Sequence, residues 1–220
     1  MATLAPSDAV VPPDGHPPVR ARGGYAKGRA TREEILDSAM QLFGEVGYRT
    51  ASLREVSARV GISHPGLLHH FPSKAALLEA VLVRRDEVDG AAFQADLAAG
   101  VDFLDALVRI VERNAARPGI VELFTVLSTE ATSQEHPAHG YFQDRYRRIV
   151  ADTTTGFERW RDEGRLREGI DPQTAARLIV AVMDGLQVQF LLDDGTPDTR
   201  VDMPAALRQQ ISALRTPPGT

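Results

Sequence analysis

Between Thr31 and Leu214 the apolar residues recur at three- and four-residue intervals, the period of helices with one buried face. Ile35, Ala39, Leu42, Phe43 and Val46 form the first such stripe, opened by a T-x-x-E capping box at Thr31/Glu34 and closed by Gly47. A second box, Ser52/Glu55, opens a short helix with Leu53, Val56 and Val60 inward, and Gly61 is its C-cap. Ser63 can cap a third, with Pro65 tolerated in the first turn because that amide has no intrahelical partner. Pro72-Ser73 ends it, and Ser73 starts a fourth. Further helices are expected near 73–98, 101–116, 119–132, 138–163, 172–193 and 203–214, punctuated by Gly100, Arg117-Pro118, HPAHG at 136–140 and DDGTPD at 193–198. No stretch alternates strictly or has the β-branched density of a strand. The fold class is all-α, with about nine helices.

The ends break the pattern. Residues 1–28 hold five prolines, four glycines and few large apolar side chains, too little to offset the entropy of ordering, and read as a disordered leader. Residues 216–220 read as a frayed tail. The organisation expected is a helix-turn-helix unit at 29–75 and a helical body at 76–215.

The charge is divided unevenly. Residues 1–19 carry −2; residues 20–85 hold 11 Lys/Arg against 6 Asp/Glu; residues 86–220 hold 14 Arg, no Lys and 22 Asp/Glu. A basic first third on an acidic remainder suits a chain of which one part meets a polyanion. The three short helices fit that role, since a first helix can support while the next lies in a DNA major groove. Leu53, Val56, Val60, Ile62 and Leu67 would pack inward, leaving Arg54, Arg59, His64, Gly66, Leu68, His69 and His70 outward. The same pattern fits a tight helical hairpin inside a core, and spacing alone does not choose between the two.

The run from Thr31 to Leu82 resembles the DNA-binding domain of the TetR/AcrR family of bacterial transcriptional repressors. The resemblance rests on I-L-x-x-A-x-x-L-F at 35–43, G-Y at 47–48, S-L-R-E-V-S at 52–57, V-G-I-S at 60–63 and H-F-P-S-K at 70–74. It implies a DNA-binding face made of Arg49, Thr50, Ser52, Arg54, Ser63, His64, Gly66, Leu68, His69, His70 and Lys74. Ser52 and Lys74 fall at phosphate-contacting positions, while His64, Gly66 and His69 fall where base edges are read. Phe71 would be core. Leu68 stands where the family mostly has an aromatic residue, and Ala51 where a phosphate-binding threonine is common, with Thr50 beside it. The basic arm Arg20–Arg29 is a further candidate for DNA contact.

In such repressors the body binds a small molecule and forms a homodimer. Helix 172–193 is apolar nearly all round and must be covered on every side. Leu178, Val182, Gly185, Leu186 and Gln189, with Leu207 and Ile211 of the last helix, are the dimer candidates, stacking as a four-helix bundle. Candidate ligand-binding residues are Phe103, Leu107, Phe124, Leu127, Glu130, Tyr141, Trp160, Met183 and Gln187, large apolar groups with a few polar ones among them. The partners expected are therefore a palindromic double-stranded operator, a small-molecule effector and a second copy of the chain.

Other classes find little support. There is no cysteine, which removes disulfides and thiolate metal sites. No apolar run reaches the eighteen or so residues of a membrane helix, and no secretory leader is evident, so a cytoplasmic protein without a membrane partner is expected. His136 and His139 lie on a Pro/Gly turn without a third ligand at recognisable spacing, so no metal is expected. Phosphate loops, nucleophile elbows and H-E-x-x-H are absent, and neither a cofactor nor an enzymatic activity is expected. Two rivals remain. One is a helical protein-interaction module; the other is an effector-independent DNA-binding activator, whose body would contain no cavity above ~300 Å³.

Overall fold

The computed structural model describes residues 22–196 and 200–217, with side chains from Gly28 onward. Most of the leader (1–21), 197–199 and 218–220 lie outside the described residues. Among the described residues nine α-helices run in order: α1 Arg22–Thr50, α2 Leu53–Val60, α3 His64–His70, α4 Lys74–Ala98, α5 Phe103–Ala115, α6 Pro118–Glu130, α7 His139–Asp162, α8 Pro172–Leu191 and α9 Met203–Leu214. Among the described residues there is no strand; the one β-type pairing is an isolated bridge between Leu166 and Arg215.

The punctuation acts as its chemistry dictates. The Ser52, Ser63 and Ser73 hydroxyls accept from the amides of Glu55, Gly66 and Ala76 at 3.0–3.2 Å, and the Asp171 carboxylate accepts from Thr174 at 2.8 Å. Each satisfies an amide that the first helical turn leaves without a partner. Gly61 closes α2 at φ 76°, a left-handed conformation that glycine adopts without a Cβ penalty.

Two expectations at the N-terminus are corrected. α1 begins at Arg22, so 22–28 are helical rather than disordered, and Thr31 lies within the helix rather than at its head. No proline occurs between Arg22 and Ala30. Once burial of Ile35–Phe43 has offset the cost of nucleation, each added residue gains a hydrogen bond at little cost. Gly47 does interrupt α1, at φ 79° and ψ 156°. Val46, expected inward, is 40% exposed.

Two hydrophobic clusters share the interior. The first joins Ile35, Leu36, Ala39, Leu42 and Phe43 of α1 to Val56, Leu67, Phe71, Leu77, Val81, Phe124, Leu127 and Phe142. One core thus runs from the helix-turn-helix into α4, α6 and α7. α1 and α6 approach closely at Gly44, where a Cβ would lie 3.0 Å from the Gly119 carbonyl oxygen. The second cluster gathers Leu104, Leu107, Phe157, Trp160, Ile179, Leu207 and Ile211 from α5, α7, α8 and α9. α4 contributes to the first cluster with its N-terminal half, and Phe93 near its other end packs against the second.

Candidate functional site

α2 and α3 meet at a turn in which the Gly61 amide donates to Ala58 and the Ile62 amide to Ser57, both carbonyl acceptors. Val56 and Leu67 are buried, and Leu53, Val60 and Ile62 are half-buried against them. Ser52, Arg54, Ser63, Leu68 and His69 are exposed; Gly66 and His70 are half-buried on the same helix. Arg54 has no ion-pair partner among the described residues, whereas Arg59 is held by Glu45 at 2.7 Å. The His64 Nδ1 is enclosed without a partner, leaving Nε2 as the nitrogen available outward.

Arg49, Thr50 and Lys74 border this face from the ends of α1 and α4. The Lys74 ammonium donates to the Arg49 carbonyl at 2.9 Å and lies 4.6 Å from the Tyr48 ring centroid. Partial burial holds its pKa below the usual lysine value. The Arg49 guanidinium pairs with Glu130 of α6 at 3.2 Å while remaining 78% exposed, so it can reach an external anion.

A chamber of about 210 Å³ lies in the body among α4, α5, α7 and α8. Its apolar wall includes Phe93, Phe103, Leu107, Ile110 and Met183, with the rings of Phe93 and Phe103 edge-on at 5.6 Å. The opposite wall is charged. The Arg85 guanidinium lies 3.7 Å from the Phe124 ring centroid, with Nε 3.1 Å from Asp89; burial pulls its pKa down to about 10. Asp86 accepts from Tyr141 at 2.8 Å and from Arg145 and Arg148. Asp89 also takes Arg117 at 2.8 Å. Across from these, the Tyr146 hydroxyl donates to Asp184 of α8 at 2.8 Å. Desolvation raises Asp184 above the usual carboxylate range, opposed by the Tyr146 hydrogen bond and the charges of Arg145 and Arg85. Tyr146 is itself pushed up to about 12, mainly by burial. A more open groove of about 360 Å³ adjoins the chamber, sharing Arg85, Arg145, Tyr146, Asp184 and Gln187 as walls. The chamber alone is smaller than ~300 Å³; the groove exceeds it.

α8 buries Ala175, Ala176, Ile179, Val180 and Leu186, yet leaves Leu178 51%, Val188 43% and Leu192 79% exposed. With Gly185, where a Cβ would meet nothing within 4 Å, they form one stripe along the helix. By length and composition α8 alone among the described helices could cross a membrane, but its Asp184 is engaged by Tyr146 and its inner face packs on its neighbours.

Residues 35–81 match the family model of bacterial regulatory proteins of the tetR family, and residues 104–216 match the C-terminal model of BetI-type transcriptional repressors. The chain belongs to the TetR family. Proteins of this family are transcriptional regulators rather than enzymes. Among curated TetR-family relatives, an HTH-type transcriptional repressor of Mycobacterium tuberculosis is 28% identical over 160 residues, 71% of this chain and 80% of the relative. The A-factor receptor protein of Streptomyces griseus is 27% identical over 199 residues, 87% of this chain. The chain spans 66% of that receptor and 41% of the Escherichia coli regulator UidR, less than two thirds of either. Among solved structures, a Saccharomonospora viridis transcriptional regulator in complex with choline superposes with a TM-score of 0.75 at 25% identity, covering 86% of this chain and all of that one. Another, solved to explain control of antibiotic production by bacterial hormones, gives 0.70 at 27%, covering 85% and 98%.

Of the ligand candidates, Phe103, Leu107, Met183 and Gln187 line the chamber. Phe124 lines the adjoining groove. The other ligand candidates lie elsewhere. Leu127 and Glu130 border a crevice beside Arg49; Tyr141 sits behind Asp86; Trp160 is sealed in the second core, donating to Asp102 at 3.1 Å. Among the dimer candidates, Leu186, Leu207 and Ile211 are turned into their own chain. In α9 the stripe Met203, Leu207, Ile211, Leu214 is a single face, taken by the second core. Leu178 and Gln189 are exposed, and Val182 and Gly185 partly so. His136 and His139 face Glu130 and the Ala131 carbonyl, and no group of three metal-ligating side chains assembles among the described residues.

Sequence reasoning missed the charged wall: Arg85, Asp86, Asp89, Arg145, Tyr146 and Asp184. One signal was legible, because Asp184 interrupts an otherwise apolar helix, and a charge there needs a reason to be tolerated.

Proposed function

We propose that the chain is a homodimeric repressor that binds a palindromic operator through α3 and is released by a small organic effector held in the chamber. The observation that carries this reading is the pairing, in one chain, of an exposed reader helix with a part-polar internal chamber bridged by a single helix. α4 begins at Lys74, beside the DNA-facing elements, and its residues Arg85, Asp86, Asp89 and Phe93 form chamber wall. At 1.5 Å per residue its 25 residues span about 37 Å. A ligand that repositions α4 alters the placement of both reader helices, which a two-fold dimer must hold ~34 Å apart to meet successive major grooves. To move the population from almost all bound-competent to almost all released, an effector must favour the released state by roughly 5 kcal/mol. The exposed stripe of α8 supports the dimer, since burying Leu178, Val188 and Leu192 against a second copy removes apolar surface from water. Such a regulator works in the cytoplasm, where its DNA is. The choline and hormone relatives support a small organic molecule as the effector class.

The test is binding of the purified chain to DNA from its own upstream region, titrated with salt. Tight, palindrome-dependent binding is expected. Lys74→Gln removes one phosphate-neutralising charge from each protomer, two per dimer, and each should lower the slope of log K against log salt by about one. Binding without sequence preference, or an unchanged slope at undiminished affinity, refutes the assignment.

A further inference from the structure

A buried donor stands idle where the DNA-facing elements meet the body. The Ala138 amide donates to His136 Nδ1 at 3.2 Å, so that nitrogen is an acceptor and the ring proton sits on Nε2. Nε2 is enclosed and has no hydrogen-bond partner among the described residues. Facing it is the Glu130 carboxylate, whose Oε2 lies 3.6 Å away, too far for a hydrogen bond. The other oxygen, Oε1, pairs with Arg49 Nε at 3.2 Å. Glu130, the last residue of α6, thus stands between an exposed arginine of the DNA-binding face and an idle buried donor. The same corner reaches the start of α4. The His136 ring meets Tyr48 edge-on with centroids 6.2 Å apart, and Tyr48 carries the Lys74 ammonium 4.6 Å from its ring centroid.

A buried donor without a partner costs free energy and calls for a reason. A second arrangement of the same three side chains supplies one. When Arg49 turns to a DNA phosphate, Glu130 loses its cation, and a shift of about 0.5 Å toward His136 brings Oε2 within hydrogen-bond distance of Nε2–H. A carboxylate acceptor makes that bond stronger than a neutral one would. We infer that Glu130 exchanges partners, from Arg49 in the free protein to His136 in the operator complex. Glu130 and His136 are then positioning residues that set DNA specificity without touching DNA. The inference rests on the DNA-binding face proposed above and adds two residues of the body to it. On arbitrary sequence no base contacts fix the register, Arg49 stays with Glu130, and its neutralised charge adds little to binding. On the operator a phosphate is held within reach, the exposed ion pair is weak enough to break, and the His136 bond offsets its loss. The carboxylate therefore lowers non-specific binding and leaves operator binding nearly unchanged.

Binding of the full chain to its upstream palindrome and to a duplex of scrambled sequence, each titrated with salt, tests this. Glu130→Gln should raise affinity for the scrambled duplex about three- to tenfold, steepen its salt dependence, and move operator affinity by less than about twofold. Glu122→Gln removes the same charge from the wall of the same crevice, and as the control for general charge it should leave both within about twofold. His136→Asn keeps an acceptor for the Ala138 amide and deletes the Nε2 donor. It should weaken operator binding roughly tenfold, spare the scrambled duplex, and lose its effect in the Glu130→Gln background. His136→Gln, which returns a donor at that reach, should recover most of the loss. Glu130→Gln, at a part-exposed site, gives the readout if the His136 variants fold poorly. The proposal is overturned if Glu130→Gln acts no more than Glu122→Gln, or if His136→Asn keeps its full effect in the Glu130→Gln background. Arg49→Gln separates this idea from the one beneath it. If it weakens operator binding while the Glu130 and His136 responses are missing, the DNA-binding face stands and the exchange is removed. If it changes binding to neither duplex, Arg49 leaves the face and the exchange goes with it.

Discussion

Gly156 lies inside α7, and a Cβ built there would fall 2.4 Å from two ring carbons of Phe103 and 2.7 Å from a third. Real Cβ atoms do not come so close, so Gly156→Ala must drive the Phe103 ring away from α7. The ring already lines the chamber and packs edge-on against Phe93 at 5.6 Å. Three effects compete. Alanine in place of glycine inside a helix stabilises by about 1 kcal/mol. Overpacking of this kind costs about 1–3 kcal/mol. Losing the ring–ring geometry adds about 0.5–1.5 kcal/mol. The net expectation is destabilisation by about 1–2 kcal/mol. With Phe103→Ala already present the obstacle is gone, and the same change should stabilise by about 1 kcal/mol. The sign therefore reverses between backgrounds, a coupling of roughly 2–3 kcal/mol. Urea unfolding of the four proteins of this cycle, followed by circular dichroism at fixed protein concentration, measures it. Additivity within about 0.5 kcal/mol, or a stabilising Gly156→Ala in the intact background, refutes the claim that this glycine is required by the close approach of the ring.

Two further outcomes follow from other parts of the molecule. Leu178→Asp places a charge in the middle of the exposed stripe of α8 and should weaken self-association by about 3 kcal/mol, on the order of a hundredfold, with operator affinity falling alongside; light scattering that finds an unchanged dimer removes α8 from the interface. Asp184, whose carboxyl is raised in the folded chain above its ordinary 3.8, binds its proton more tightly folded than unfolded. Its contribution to stability is therefore present below the ordinary value and lost as pH rises through the raised one. Asp184→Asn should gain on the parent between those two values and keep that gain at pH 7, and a stability difference independent of pH refutes this.

The nine-helix layout was open to reading because each boundary has a local cause. Ser52, Ser63, Ser73 and Asp171 cap through their own side chains a few residues along, and Gly61 turns the chain through its own φ. The helix-turn-helix face was legible for the same reason, being nearly contiguous in sequence. Where the local signal was ambiguous the reading failed: the box at Thr31/Glu34 sits inside a helix, because a T-x-x-E pattern also fits an interior turn. Amphipathicity also told less for α8 and α9. Periodicity says that Leu207 and Ile211 share a face with Met203, and does not say whether that face meets its own chain or a second one.

The chamber belongs to the tertiary structure. Arg85, Arg145 and Asp184 are separated by up to about a hundred residues, and their meeting depends on how α4, α7 and α8 pack. Trp160 and Tyr141 looked as suitable as Phe103 in the sequence; packing sent one into the second core and the other behind Asp86. Capping, glycine conformation and apolar period act within a few residues and can be read from the chain in order. Which charges face one another depends on contacts between distant helices, so only the assembled bundle decides it.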